Sequence, residues 1–120
     1  MKITSLLITL SLVALAATRA QAHAFLEEAE PRVGSTVEAS PAQVKIWFTE
    51  KLKHDSSNIA VFDAGGNEVD KKDSKIDTDN PLLMSVSVGK LPPGRYKVSW
   101  NAVAIDTHHT NGTFNFTVKP

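Results

Sequence analysis

Apolar side chains in this chain return at every second residue in several separate runs, and that spacing restricts the fold before anything else is considered. Val44, Ile46 and Phe48 alternate with Lys45 and Trp47, and Leu82, Met84, Val86 and Val88 alternate with Leu83, Ser85 and Ser87. Tyr96, Val98, Trp100 and Ala102 share a parity against Lys97, Ser99 and Asn101, and Phe114, Phe116 and Val118 share one in the last run. Successive side chains of a strand point to opposite faces, so each run has one face to bury and one to leave in water. Outside the first 22 residues no segment sustains the 3.6-residue periodicity of an amphipathic helix, and no internal repeat occurs.

Turn residues punctuate the runs at Pro31 to Ser35, Ser40-Pro41, Gly65-Gly66-Asn67 and Leu91-Pro92-Pro93-Gly94. The pattern predicts strands over Ala24–Ala29, Gln43–Phe48, Asn58–Asp63, Leu82–Val88, Arg95–Val103 and Thr113–Lys119, with Glu68-Val69-Asp70 beginning the return strand of a hairpin. Lys71 to Pro81 reads as a loop with only Ile76 to bury, and Trp47 and Trp100 read as packing residues between sheets. The expected class is all-β, a single immunoglobulin-like Greek-key β-sandwich, with no disulfide because the chain has no cysteine.

The N-terminus reads as a secretory signal peptide over residues 1–22. Lys2 supplies a positive start, and the apolar run from Ile3 to Ala17 is broken only by Thr4, Ser5, Thr9 and Ser11. Ala20 and Ala22 supply the small side chains that precede a cleavage point. The run is short for a membrane span, which needs about 20 residues. Cutting after Ala22 leaves residues 23–120, which are 98 residues and enough for one domain with a modest core. Lys2 and Arg19 leave with the signal, so 11 basic residues face 13 acidic ones, a net charge of −2. That balance argues against nucleic acid as a partner, and no membrane insertion is expected after processing.

The cut makes His23 the first residue, and a terminal His offers two metal donors, its α-amine and Nδ1, which close a six-membered chelate ring. Without cysteine, any metal must be held by imidazole, carboxylate, amine, carbonyl or methionine sulfur. In an extended chain Asp106 and His108, two residues apart, project to one side. Taken alone, an Asp-x-His pair more often decorates a polar turn than binds a metal. Added to a terminal His, it completes three nitrogens and one oxygen, a set suited to square-planar or tetragonal Cu(II), with zinc the lesser rival.

Several segments together resemble the CopC family of periplasmic copper-binding proteins. These are His23-Ala24-Phe25-Leu26, Glu30 to Ser35 followed by Ser40-Pro41, and Val44 to Glu50 with its Phe-x-Glu ending. Leu91 to Trp100, Asp106-Thr107-His108 and Gly112 to Phe116 continue the likeness across essentially the whole processed chain. The resemblance implies a β-sandwich that binds one Cu(II) per chain through His23, Asp106 and His108. It implies a periplasmic location, and as partners the copper ion and a copper transporter or another periplasmic copper protein. Glu50 corresponds to a family glutamate near the metal, which could accept a hydrogen bond from the amine or a bound water and so orient the ligands; the alternative is a surface carboxylate.

Two departures from the family pattern stand out. Some members carry a Met-rich loop for Cu(I), whereas Met84 is the one methionine of residues 23–120 and falls inside a strand pattern. His109 stands where many relatives have proline; as the neighbour of His108 in an extended strand it is expected to face away from the metal. His54, beside Asp55 in a polar loop, reads as a solvated histidine. The expected function is a non-enzymatic Cu(II) carrier or buffer in copper tolerance or delivery. The alternatives are a copper monooxygenase-like enzyme with an N-terminal His site and a metal-free immunoglobulin-like interaction module.

Overall fold

The computed structural model describes residues 24–120; His23 and the expected signal peptide lie outside the described residues. Among the described residues eight strands are formed: β1 (Leu26–Glu30), β2 (Thr36–Val37), β3 (Gln43–Phe48), β4 (Asn58–Phe62), β5 (Lys75–Ile76), β6 (Leu83–Ser87), β7 (Gly94–Val103) and β8 (His109–Val118). They make two four-stranded sheets, ordered β1-β3-β6-β5 and β2-β8-β7-β4. Every pairing is antiparallel except β2 with β8.

The alternating runs become the inner faces of a β-sandwich. Val44, Ile46 and Phe48 of β3 and Met84 and Val86 of β6 meet Ile59 and Val61 of β4, Tyr96, Val98, Trp100 and Ala102 of β7, and Phe114, Phe116 and Val118 of β8 in one buried cluster. Phe48 and Trp100 cross between the sheets edge to face, with centroids 5.1 Å apart, a geometry aromatic quadrupoles favour. Gly112 is opposite Trp100 in the ladder, and a Cβ there would lie 2.7 Å from the indole ring, so only glycine admits the tryptophan. Trp47 departs from expectation: it is on the opposite face of β3 from Phe48 and is only half-buried.

The crossing between the sheets also differs from the predicted loop and hairpin. The hairpin return begins as predicted, with Glu68 bridging Phe62 and the Val69 N–H donating to the Val61 carbonyl at 2.8 Å, but it ends there, because Asp70 bridges Val88 in the other sheet and the chain crosses over. Lys75–Ile76 then pairs with β6 and buries Ile76. The strap caps β4, the edge strand of its sheet, with side chains. Asp70, itself buried, accepts the Val61 N–H at 2.8 Å, and Ser74 Oγ both accepts the Ile59 N–H and donates to its carbonyl. Such bonds satisfy backbone groups that an exposed edge would offer to another chain. Asp73 accepts the Ser87 N–H at 2.8 Å, and that bond holds its carboxyl below the ordinary carboxylate range. Single-residue polarity does not reveal this strap, because its strand is two residues long and its other contacts are made by polar side chains.

Removing the Asp70 carboxylate leaves the Val61 N–H buried without its acceptor. We expect Asp70→Ala to lower unfolding stability by about 1–3 kcal/mol. Replacement of the exposed Asp79 should stay within about 0.5 kcal/mol. Urea unfolding followed by far-ultraviolet circular dichroism checks both.

Candidate metal centre

Asp106 and His108 occupy the connection between β7 and β8. The two strands pair continuously from Gly94 opposite Val118 to Val103 opposite His109, so the chain must reverse within residues 104–108. Thr107 makes the reversal with φ of 75°, a region that β-branched residues seldom enter. The Thr107 N–H donates to the Ala104 carbonyl at 2.8 Å, and the Ala104 N–H donates to the His108 carbonyl at 3.0 Å. β8 therefore starts at His109, four residues before the predicted Thr113, because pairing with β7 overrides the weak strand preference of Asn111 and Gly112.

Within this turn Asp106 binds His108 twice. One carboxylate oxygen accepts the His108 N–H at 3.1 Å, and the other is 3.1 Å from His108 Nδ1. The two side chains do come together, but a turn brings them there and not the strand alternation expected from their spacing. When Nδ1 donates to the carboxylate, the lone pair of the ring resides on Nε2, the usual division of labour in a carboxylate-oriented metal histidine. Each carboxylate oxygen also has a second lone pair with which to reach a cation. Both residues are exposed, so an ion could approach from solvent.

The chain entering the domain runs beside this turn. Ala24 is fully buried, and its carbonyl accepts a hydrogen bond from the Thr110 hydroxyl, two residues beyond His108. Phe25 is held on its other side by Thr49, whose N–H donates to the Phe25 carbonyl at 2.9 Å and whose Oγ1 accepts the Phe25 N–H at 3.0 Å. The segment after β3 also reaches the turn: the Ile105 N–H donates to the Lys51 carbonyl at 3.1 Å, and Leu52 bridges Ala104. Glu50 is thus flanked by the residue that holds Phe25 and the one that holds Ile105, and it is exposed. Thr49 and Thr110 give no signal in the sequence, because a threonine in or after a strand is ordinary.

His109 opens β8 opposite Val103, on the ladder face opposite Ala102, and is exposed. His54 is exposed in the turn following Leu52. Met84 is fully buried between the sheets. Among the described residues no group of three His, Asp, Glu or Cys side chains comes together; Asp106 and His108 are a pair, and the backbone leading to His23 passes the same end of the sandwich. The donor chemistry of the pair, one imidazole and one carboxylate, fits a borderline divalent ion but lacks soft sulfur.

Comparison with known proteins agrees with the architecture. The CopC domain family model matches residues 26–119. The chain is 35% identical over 98 residues to copper transport protein CutJ of Bacillus subtilis, covering 81% of this chain but 18% of that protein. It is 30% identical to copper resistance protein C of Escherichia coli, covering 94% of each. Among solved structures, CopC from Methylosinus trichosporium OB3b superposes with a TM-score of 0.77 at 32% identity, covering 82% of this chain and 95% of that one. PcoC, a methionine-rich copper resistance protein from Escherichia coli, superposes at 0.72 with 30% identity, covering 82% of this chain and 100% of that one. With its two-sheet sandwich and a family match spanning nearly all the described residues, this chain belongs to the CopC family.

Proposed function

We propose that this chain is a periplasmic Cu(II) carrier or buffer in copper tolerance or delivery. Residues 1–22 are removed in export, and residues 23–120 bind one Cu(II) through the α-amine and ring of His23, the carboxylate of Asp106 and the imidazole of His108. The observation that carries this reading is the bond from Thr110 to the Ala24 carbonyl, which ties the residue after His23 to the strand that begins beside His108. The names of the relatives, a copper transport protein and copper resistance proteins, support copper as the cargo. A copper transporter or another periplasmic copper protein is the proposed exchange partner, and the role is binding without catalysis.

The residues have distinct tasks in this reading. Asp106 orients the His108 ring and adds negative charge beside the ion, favouring the oxidised state. The chelate of His23 adds two nitrogens from one residue. Glu50, placed between the N-terminal segment and the turn, is proposed to accept a hydrogen bond from the amine or from a bound water.

Titration of the processed chain should reach one Cu(II) per molecule. His108→Ala should weaken binding by at least about tenfold, roughly 1.4 kcal/mol, whereas His109→Ala should have a much smaller effect. Competition against a chelator of known affinity measures both, and equal losses would assign the imidazole wrongly.

Cu(I) should bind far more weakly than Cu(II), because Met84 is sealed in the core and no other thioether is available after processing. A Cu(I) competition assay in which Met84→Leu matches the parent chain is the expected result.

The amine coordinates only when it is free and deprotonated, and a free α-amine has a pKa of about 7.7–8.0, so protons compete with the metal as pH falls. A chain retaining one residue before His23 should bind Cu(II) far more weakly with its circular dichroism unchanged. Equal binding by the two chains would remove the terminal chelate from the site.

A further inference from the structure

The dipeptide Ala24-Phe25 precedes β1, so ladder bonds of that strand do not explain why it is held so firmly. Chain ends ordinarily fray unless they are tied down. Here the ties come from two threonines far away in sequence. Thr110, 86 residues from Ala24, donates its hydroxyl to the Ala24 carbonyl. Thr49, 24 residues from Phe25, accepts the Phe25 N–H at 3.0 Å through Oγ1 and donates its own N–H to the Phe25 carbonyl. Between the two anchors the Ala24 methyl is fully buried in the main core cluster, which leaves little room for the backbone to swing.

We infer that Thr110 and Thr49 are positioning residues for the terminal chelate: by clamping Ala24 and Phe25 they fix, beside the Asp106–His108 turn, the backbone from which that chelate extends, before the ion arrives. The inference rests on the Cu(II) site proposed above. A ligand on a free terminus must be immobilised when metal binds, and immobilising it beforehand raises affinity without adding a contact to the ion. The location of Thr110 makes the coupling direct. It is the second residue of β8 and pairs with Ala102, so the strand start that follows His108 also holds the carbonyl next to His23. Any shift of that strand start moves the turn and the terminal segment together, keeping their spacing. Thr49 serves the same end from the other sheet, since it directly follows β3.

Valine has nearly the shape of threonine without its hydroxyl, and serine keeps the hydroxyl, so the two substitutions separate hydrogen bonding from packing. In the processed chain Thr110→Val should weaken Cu(II) binding about tenfold, with Thr110→Ser returning to within about threefold of the parent. Two further readouts would not move if the residue were merely structural. In metal-free protein, Thr110→Val should speed hydrogen exchange at the Phe25 amide without changing exchange in β6. In the copper-loaded protein, its electron paramagnetic resonance spectrum should broaden toward that of the chain carrying one extra residue before His23. Should Thr110→Val lose its fold, Thr49→Val, which removes the Oγ1 that accepts the Phe25 N–H, carries the same three expectations. Parent-like affinity and exchange in a folded Val variant would overturn the positioning role. If the extra residue before His23 also leaves binding unchanged, it is the terminal chelate itself that fails; if the extension weakens binding and the Val variants do not, only the clamp fails.

Discussion

The ladder between β7 and β8 is the interaction on which the rest of this structure depends. It runs over ten residue pairs without a register break, which fixes where the chain turns and which face each side chain takes. Tyr96, Val98, Trp100 and Ala102 are set into the core beside Phe114 and Phe116 by this one register, and a slip of one residue would send all of them to solvent. The same register closes the turn at residues 104–108. Asp106 and His108 meet there because the strands leave so few residues for the reversal that Thr107 adopts a positive φ and the Asp106 carboxylate folds back onto the His108 ring.

The N-terminal segment depends on that ladder at one remove. Thr110 belongs to the turn end of β8 and bonds to Ala24, while the segment after β3 bonds to both Phe25 and Ile105. Three chain segments distant in sequence are thereby tied together at one end of the sandwich by hydrogen bonds to backbone groups. A site assembled this way can be exposed to incoming ions and still have its supporting backbone held by a buried core. Burial and exposure are divided at this one end of the sandwich: Ala24 is sealed while Asp106 and His108 remain open to solvent.

Membership of the CopC family joins this chain to proteins named for copper resistance and copper transport, and its own residues narrow what it can do within that family. PcoC is methionine-rich. In this chain Met84 lies on the inner face of β6, opposite Ile46 of β3, where it is fully buried in the core between the sheets and closed to solvent. The exposed donor chemistry at the turn end is nitrogen and oxygen, which is why the proposed cargo is the oxidised ion.

Sequence by itself determined the class of fold and the inner faces. The two-residue period at Val44, Ile46 and Phe48 and from Tyr96 to Ala102 reports burial directly, since a half-buried strand leaves no other pattern. The adjacency of Asp106 and His108 was legible as well, because residues two apart are close in almost any local conformation, although a turn and not an extended strand holds them. Only the tertiary structure decided that β8 begins at His109, that Asp70 and Ser74 cap β4, and that Thr110 and Thr49 clamp the segment after His23. Those features join residues separated by up to 86 positions through single hydrogen bonds. A hydroxyl or carboxylate partner of that kind leaves no periodicity in the chain, so its role appears only when the sheets bring the two ends together.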